Sequence, residues 1–279
     1  MELQIILVSH DFVTSHRKTY DSHYSRKSIE HDSFNNAFRT AATELRIQNV
    51  VRFPTGCKSL DNLLDGGIEA GVITQVYGPP GSGKTQLCHT LCVMLPSDYL
   101  VIYIDSEGNF RPERVKEIAR ARGFNSKQIL QRILVTKALD IKQLESRIEA
   151  ACSKIDSDSK IKLLIVDSII YHYRAEYSGR SKLPGKIQRL NKSMHALLKI
   201  ASSKTIAVVV TNHQMQSSVD GFDNRVVPLG GNVMSYATKY RIHVDGRSRR
   251  ANLEVSPSHP QSDTYFAIED RGFSDVADD

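Results

Sequence analysis

The segment Gly78-Pro79-Pro80-Gly81-Ser82-Gly83-Lys84-Thr85 fits the pattern G-x-x-x-x-G-K-[ST], with an apolar run before it and a helical pattern after it. Its glycines let backbone N–H groups turn inward around phosphate oxygens, and a following helix adds the positive end of its dipole. From that loop Lys84 can reach β- and γ-phosphates, and the Thr85 hydroxyl can serve Mg²⁺. A carboxylate suited to holding Mg²⁺ through water, Asp167, ends the hydrophobic run Ile161–Asp167. Glu107 follows the run Leu100–Asp105, where a carboxylate can orient and deprotonate a water attacking the γ-phosphate. Asn212, at the tip of Ile206–Thr211, is placed to sense that phosphate. The chemistry predicted is the binding and hydrolysis of a nucleoside triphosphate with Mg²⁺, Lys84 and Glu107 being the candidate catalytic groups and an ordinary surface acid the alternative for Glu107.

These residues need strands that end together. Short apolar runs (Val72–Tyr77, Leu100–Asp105, Ile133–Val135, Ile161–Asp167, Ile206–Thr211) alternate with helical patterns over Lys84–Leu95, Pro112–Arg122, Ile141–Ser153 and Lys186–Ser202. Strands buried on both faces and separated by helix-length segments predict an α/β fold, a mainly parallel sheet flanked by helices. Ligands in such sheets bind beyond the carboxyl ends of the strands, where the motifs fall. After residue 212 short strands (Tyr240–Val244, Ala251–Val255, Thr264–Ile268) predict an antiparallel extension of the same sheet. The organisation predicted is a polar extension over 1–33, a linker over 34–53 and one ATPase core over 54–279.

The 279 residues carry 37 Lys+Arg against 31 Asp+Glu and are 40% hydrophobic, too apolar for a disordered chain. No apolar run approaches the roughly 20 residues that cross a bilayer, and Leu3–Val8 lacks the flanks of a signal peptide. Cys57, Cys88, Cys92 and Cys152 show no CxxC spacing and read as small buried thiols. A soluble cytoplasmic protein is expected. His10, His16, His23 and His31 in the polar extension have no repeated ligand spacing. From Arg174 to Lys199 there are seven basic residues and one acid. That surplus suits contact with a polyanion, and a solvated helix face has the same composition.

Several motifs in order resemble the RecA/RadA recombinase family. They are Phe53–Ile68, the phosphate loop followed by Gln86, Tyr103–Arg114, Leu163–Ser168, Arg174–Arg180, Val208–Asn212 and Pro228–Asn232. The resemblance runs from about residue 34 to the C-terminus. It implies a RecA-type core that binds DNA and ATP, with Glu107 as hydrolytic base, Asp167 as the Walker B acid and Gln86 beside the nucleotide. It identifies Tyr177–Lys186 and Gln214–Val227 with two DNA-binding loops, whose composition suits mobile segments. Arg180, Lys182, Lys186 and Arg225 are the candidate contacts to single-stranded DNA, duplex being the alternative. Phe38-Arg-Thr-Ala41 resembles the family's polymerisation motif, in which Phe and Ala occupy pockets on the next subunit. A head-to-tail contact of that kind generates a filament. Phe34-Asn-Asn-Ala37 has the same form, and a linker helix packed on its own core is the alternative.

The chain also departs from the family. RadA-type recombinases carry a helix-hairpin-helix domain ahead of the linker, where about 33 residues stand here. His213 replaces a Gln that couples nucleotide to the second DNA loop, with Gln214 one place later. Tyr236 stands for a His that reaches a neighbour's γ-phosphate, and Val255 for an Asp before Ser256-Pro257. Gly78–Gly81 and Phe266–Phe273 look more like RadB, an archaeal paralogue with weak ATP hydrolysis that supports the main recombinase. Tyr177–Arg180 and Phe38–Ala41 look like the active recombinases. The reading favoured is a RadB-like accessory protein of recombination and repair, acting with a RadA-type recombinase. The alternative is an autonomous RadA-type recombinase that assembles on single-stranded DNA and exchanges strands. A P-loop small-molecule kinase is the remote third, opposed by the basic loop and the lack of a lid segment.

Overall fold

The hydrophobic runs become adjacent strands because their alternating residues bury into two separate layers. In the computed structural model, which describes residues 38–47, 50–176, 183–219 and 223–277, the chain divides into units at 1–49 and 50–279. In the first unit, α1 (Ala41–Ile47) starts at Thr40, whose Oγ1 accepts from Thr43 N at 3.1 Å.

The second unit is built on a nine-stranded sheet. β3 (Ile73–Gly78), β4 (Leu100–Asp105), β5 (Ile133–Lys137), β6 (Ile161–Asp167) and β7 (Ala207–Val219) lie in the order β3-β7-β6-β4-β5, all parallel. Beyond β3 come β9 (Tyr240–Asp245), β10 (Arg250–Val255) and β11 (Ser262–Tyr265). β9 joins β3 in parallel, and antiparallel pairing begins only at β10. Strand period sends Val101, Tyr103, Leu163, Ile165, Ala207 and Val209 into one core and Ile102, Ile104, Leu164, Val166, Val208 and Val210 into the other. With both faces covered, continuous apolar runs are what a parallel sheet requires.

Helices close both layers. α3 (Lys84–Met94) and α4 (Pro112–Ala121) bury Leu87, Leu91, Val115 and Ile118 on the first face. α6 (Ile141–Ser157) and α8 (Leu183–Lys204) cover the second, and the α6 residues Ile141, Leu144, Ile148, Ala151 and Ile155 form its stripe. Helix starts follow local chemistry: Pro112 occupies the first turn of α4, and Asp140 accepts from Gln143 N at 2.7 Å to open α6. Asn125 does the same for α5 (Ser126–Gln131), accepting from Lys127 N and Gln128 N. The remaining elements are β1 (Arg52–Phe53) paired with β2 (Ile68–Glu69), α2 (Lys58–Leu63), α7 (Tyr171–Glu176) and α9 (Gly231–Ala237).

Segment 214–227 differs from the loop expected. β7 continues past the sheet and turns back as β8 (Asp223–Pro228), an antiparallel hairpin with Gln214 opposite Pro228 and Val219 opposite Asp223. Thr264–Ile268 also differs, being broken at Phe266 into β11 and β12 (Ala267–Glu269), with β12 paired to β13 (Gly272–Ser274). Phe266 turns inward and stacks on Phe273 at 4.3 Å, so its burial interrupts the strand. Cys57, Cys88 and Cys92 are buried and all four thiols are unpaired. No described helix is long and apolar enough to cross a membrane. Residues 1–37, with their four histidines and Phe34–Ala37, lie outside the described residues.

Candidate nucleotide site

The carboxyl ends of β3, β4, β6 and β7 meet around a cleft of about 480 Å³ lined by Pro80–Gln86, Glu107, Asn109, Arg111, Asp167, His213 and Ile268. Gly78 and Pro79 stand at its base through their carbonyls, which accept from Lys84 Nζ at 3.0 and 2.8 Å. Gly83, at φ 104°, makes the left-handed turn into α3, a conformation that glycine adopts without a side-chain clash. A Cβ there would also lie 2.7 Å from Ile268 Cδ1, so the loop is seated against the C-terminal hairpin. Burial lowers the Lys84 ammonium below the usual lysine range, opposed by the charges of Glu107 and Asp167.

Asp167 is buried, and its donors come from the first turn of α3 and from the neighbouring strands β4 and β7. Its Oδ2 accepts from Thr85 Oγ1 at 2.8 Å and Tyr103 OH at 2.7 Å, and its Oδ1 accepts from Thr211 Oγ1. Burial pushes its carboxyl up, and these three hydrogen bonds oppose the shift. A hydroxyl and a carboxylate meeting at one point form a hard oxygen set, which fits Mg²⁺. No group of three or more His, Cys, Asp or Glu side chains suited to a metal occurs among the described residues. That agrees with a cation held by one or two protein oxygens and by phosphates.

Glu107 extends from the β4–α4 loop, whose path Asp105 fixes by accepting from Gly108 N at 2.8 Å, Asn109 N at 3.0 Å and Phe110 N at 3.2 Å. The Glu107 Oε1 accepts from His213 Nε2 at 2.8 Å and Oε2 from Asn109 Nδ2 at 3.1 Å. Burial raises the Glu107 carboxyl, but the His213 hydrogen bond and charge and the Lys84 ammonium outweigh it, leaving the group below its usual range. Gln86 Oε1 accepts from Arg114 Nε at 3.0 Å, which fixes the amide at the cleft wall.

Asn212 is not brought into the cleft lining. Its Nδ2 donates to Leu229 O at 2.7 Å and its Oδ1 accepts from His213 N at 2.7 Å, so it ties down the hairpin root. Sequence reasoning missed Tyr103, Thr211 and Asn109 as partners of the two carboxylates. Their hydroxyls and amide become meaningful only through strand register.

Of the candidate DNA contacts, Lys186 and Arg225 are not among the residues lining the cleft. Arg180 and Lys182 lie outside the described residues, and Arg225 sits on β8 opposite Ser217. Lys186, on the first turns of α8, is held below the usual lysine range by partial burial and then by the Arg174 charge. Two other members of the basic cluster are neutralised: Arg189 pairs with Glu145 at 2.8 Å and Lys192 with Glu149 at 3.2 Å, both acids on α6. Phe38 is exposed and Ala41 opens α1. Tyr236, on α9, is 82% exposed.

The chain is similar to known proteins over most of its length. The pattern of the Rad51 family matches residues 46–276. A "DNA repair and recombination protein RadA" of Metallosphaera sedula is 36% identical over 256 residues, 88% of this chain and 79% of that protein. A "DNA repair protein RAD51 homolog B" of Zea mays is 36% identical over 255 residues, 86% of this chain and 74% of the relative. A second RadA, from Cenarchaeum symbiosum, is 40% identical over 242 residues, 83% of this chain and 60% of its own length.

Proposed function

The chain belongs to the Rad51 family, and on that premise we propose that it is an ATP- and DNA-binding protein of homologous recombination and DNA repair. The observation that carries the reading is the meeting of the phosphate loop, Asp167 and Glu107 in one cleft, with the β7–β8 hairpin rooted at its rim. Lys84 exchanges the carbonyls of Gly78 and Pro79 for phosphate oxygens, and Thr85 and Asp167 hold Mg²⁺. The cation, when bound, draws negative charge off the phosphates. Glu107 takes a proton from the attacking water as its oxygen bonds to the γ-phosphorus and the bond to ADP breaks. Gly78–Gln86 cradle the nucleotide, and Asn212 acts on it only through the hairpin root. Arg180, Lys182, Lys186 and Arg225 contact single-stranded DNA, duplex being a further ligand. The unpaired thiols of Cys57, Cys88, Cys92 and Cys152 support a cytoplasmic setting.

Within the family we assign the chain a RadB-like accessory role with weak hydrolysis. The exposed Tyr236 supports it, standing where the resemblance implies a phosphate-reaching His, and His213 stands where the resemblance implies the Gln that couples nucleotide to the second DNA loop. Stoichiometric addition to a RadA-type recombinase is expected to change that protein's filament assembly on DNA, and unchanged assembly would reject the role.

One observation favours the second reading, an autonomous recombinase. β5 ends the sheet, with Val135 exposed on it and Leu139 exposed just beyond, and an open edge is a template for another chain. Phe38 and Ala41 of one copy reaching a neighbour would extend such a contact into a filament. Phe38→Glu should then abolish DNA-bound filaments in electron micrographs; filaments that persist would exclude it.

A further inference from the structure

We propose that His213 is the positioning residue for Glu107, holding its carboxylate in the phosphate cleft from the root of the β7–β8 hairpin. The proposal rests on the reading of Glu107 as hydrolytic base. A carboxylate only accepts, so His213 Nε2 is the donor in the 2.8 Å contact to Oε1. Asn109 holds Oε2. Two donors on two oxygens fix both the reach of the side chain and the plane of its carboxylate, which a general base needs toward its water. The His213 and Glu107 side chains are 13% and 15% exposed, so water competes weakly for the contact.

His213 is itself fixed by its backbone. It is the last residue of β7 registered on β3, opposite Gly78, and Gln214 is the first registered on β8. Its N–H donates to Asn212 Oδ1 and its carbonyl accepts from Leu229 N at 3.0 Å. Strand alternation turns Gln214 to the opposite face, where its Oε1 accepts from His243 Nε2 at 3.1 Å. Gln214 therefore cannot stand in for His213. The other His213 nitrogen, Nδ1, is buried without a hydrogen-bond partner, so the ring's polar engagement is the contact to Glu107. Lys84 and Asp167 are the other charged groups that face Glu107.

The test measures steady-state ATP hydrolysis by the full chain as wild type, His213→Ala, His213→Gln, Glu107→Gln and the double variant His213→Ala/Glu107→Gln. The expected result is a kcat loss of about 10- to 100-fold in His213→Ala with KM for ATP unchanged. His213→Gln, whose amide can donate from a similar reach, recovers part of the loss. The double variant is no slower than Glu107→Gln alone, since the two residues act as one unit. Hydrolysis by His213→Ala at or above the wild-type rate would overturn the proposal. So would equal losses in the Ala and Gln variants with a raised KM, or a further loss in the double variant. Full activity in Glu107→Gln would instead overturn the reading of Glu107 as base, and the positioning role with it.

Discussion

Lys84, Thr85, Asp167 and Glu107 meet in one cleft, where burial lowers the Lys84 ammonium and raises the Asp167 carboxyl, and neighbours lower that of Glu107. Lys84→Ala should remove nucleotide binding, because among the described residues no other ammonium lines the cleft; retention of a fluorescent ATP analogue would contradict this. Glu107→Gln should keep binding and lower kcat at least about 100-fold, the scale of a positioned general base. Its pH behaviour follows from its neighbours. Burial raises the carboxyl, but His213 and Lys84 bring it below the ordinary 4.5. Glu107 therefore stays charged to lower pH than a free glutamate, and its contribution to stability is present above 4.5 and lost as pH falls through the lower folded value. The acid limb of kcat/KM that belongs to Glu107 should lie below pH 4.5, and a limb above it would show a different environment. The phosphate loop and both acids were legible because each sits at a fixed offset from an apolar strand. Tyr103 and His213 were not, since their roles come from contacts with residues 64 and 106 positions away in the chain, and Asn109 was not, since its role depends on the path Asp105 gives the loop.

Elements place these residues, and their ends are tied by groups distant in sequence. Asp275, just past β13, accepts from Lys58 N at 2.9 Å and Ser59 N at 2.8 Å, capping α2 from 216 residues away. Burial opposes its charge, but the backbone donors of Ser59 and Lys58 outweigh that and lower its carboxyl to about 2. Its stabilising effect is thus complete above the ordinary 3.8 and lost as pH falls through about 2. Asp275→Ala should destabilise the fold by about 1–2 kcal/mol, read by urea unfolding, and an unchanged midpoint would deny the cap a role. Strand limits at Leu100–Asp105 and Ile161–Asp167 were legible in full, since both runs are apolar and end on an acid. The extension of β7 to Val219 was hidden because Gln214–Ser218 is mostly polar in sequence, and it is strand through pairing with β8. The lengths of α6 and α8 exceeded the sequence expectation for a related reason. Their last turns carry Asp156 and Lys204, which pair at 2.9 Å beyond the apolar stripe.

At the scale of the whole molecule, the excess of six positive charges is not one free patch. Ion pairs between α6 and α8 engage Arg189 and Lys192, so the rest of the basic surplus assigned to DNA is Arg174, Arg180, Lys182, Lys186 and Lys199. Arg180→Ala should weaken single-stranded DNA binding and reduce the steepness of its salt dependence by about one unit, the share of one phosphate contact. An unchanged slope would return the cluster to a solvated face. The α/β class and the strand order's common ligand edge were legible from alternation alone. Assembly through Phe38 and Ala41 is an expectation from sequence that one copy of the chain does not test, because a filament contact involves two. Phosphate release from ATP with Mg²⁺, with and without single-stranded DNA, shows whether one cleft binds and hydrolyses ATP in a protein that binds DNA. Slow release of free phosphate is expected, abolished by Lys84→Ala and changed little by DNA. No release by the intact chain, or transfer of the phosphate to a small-molecule acceptor, would contradict it.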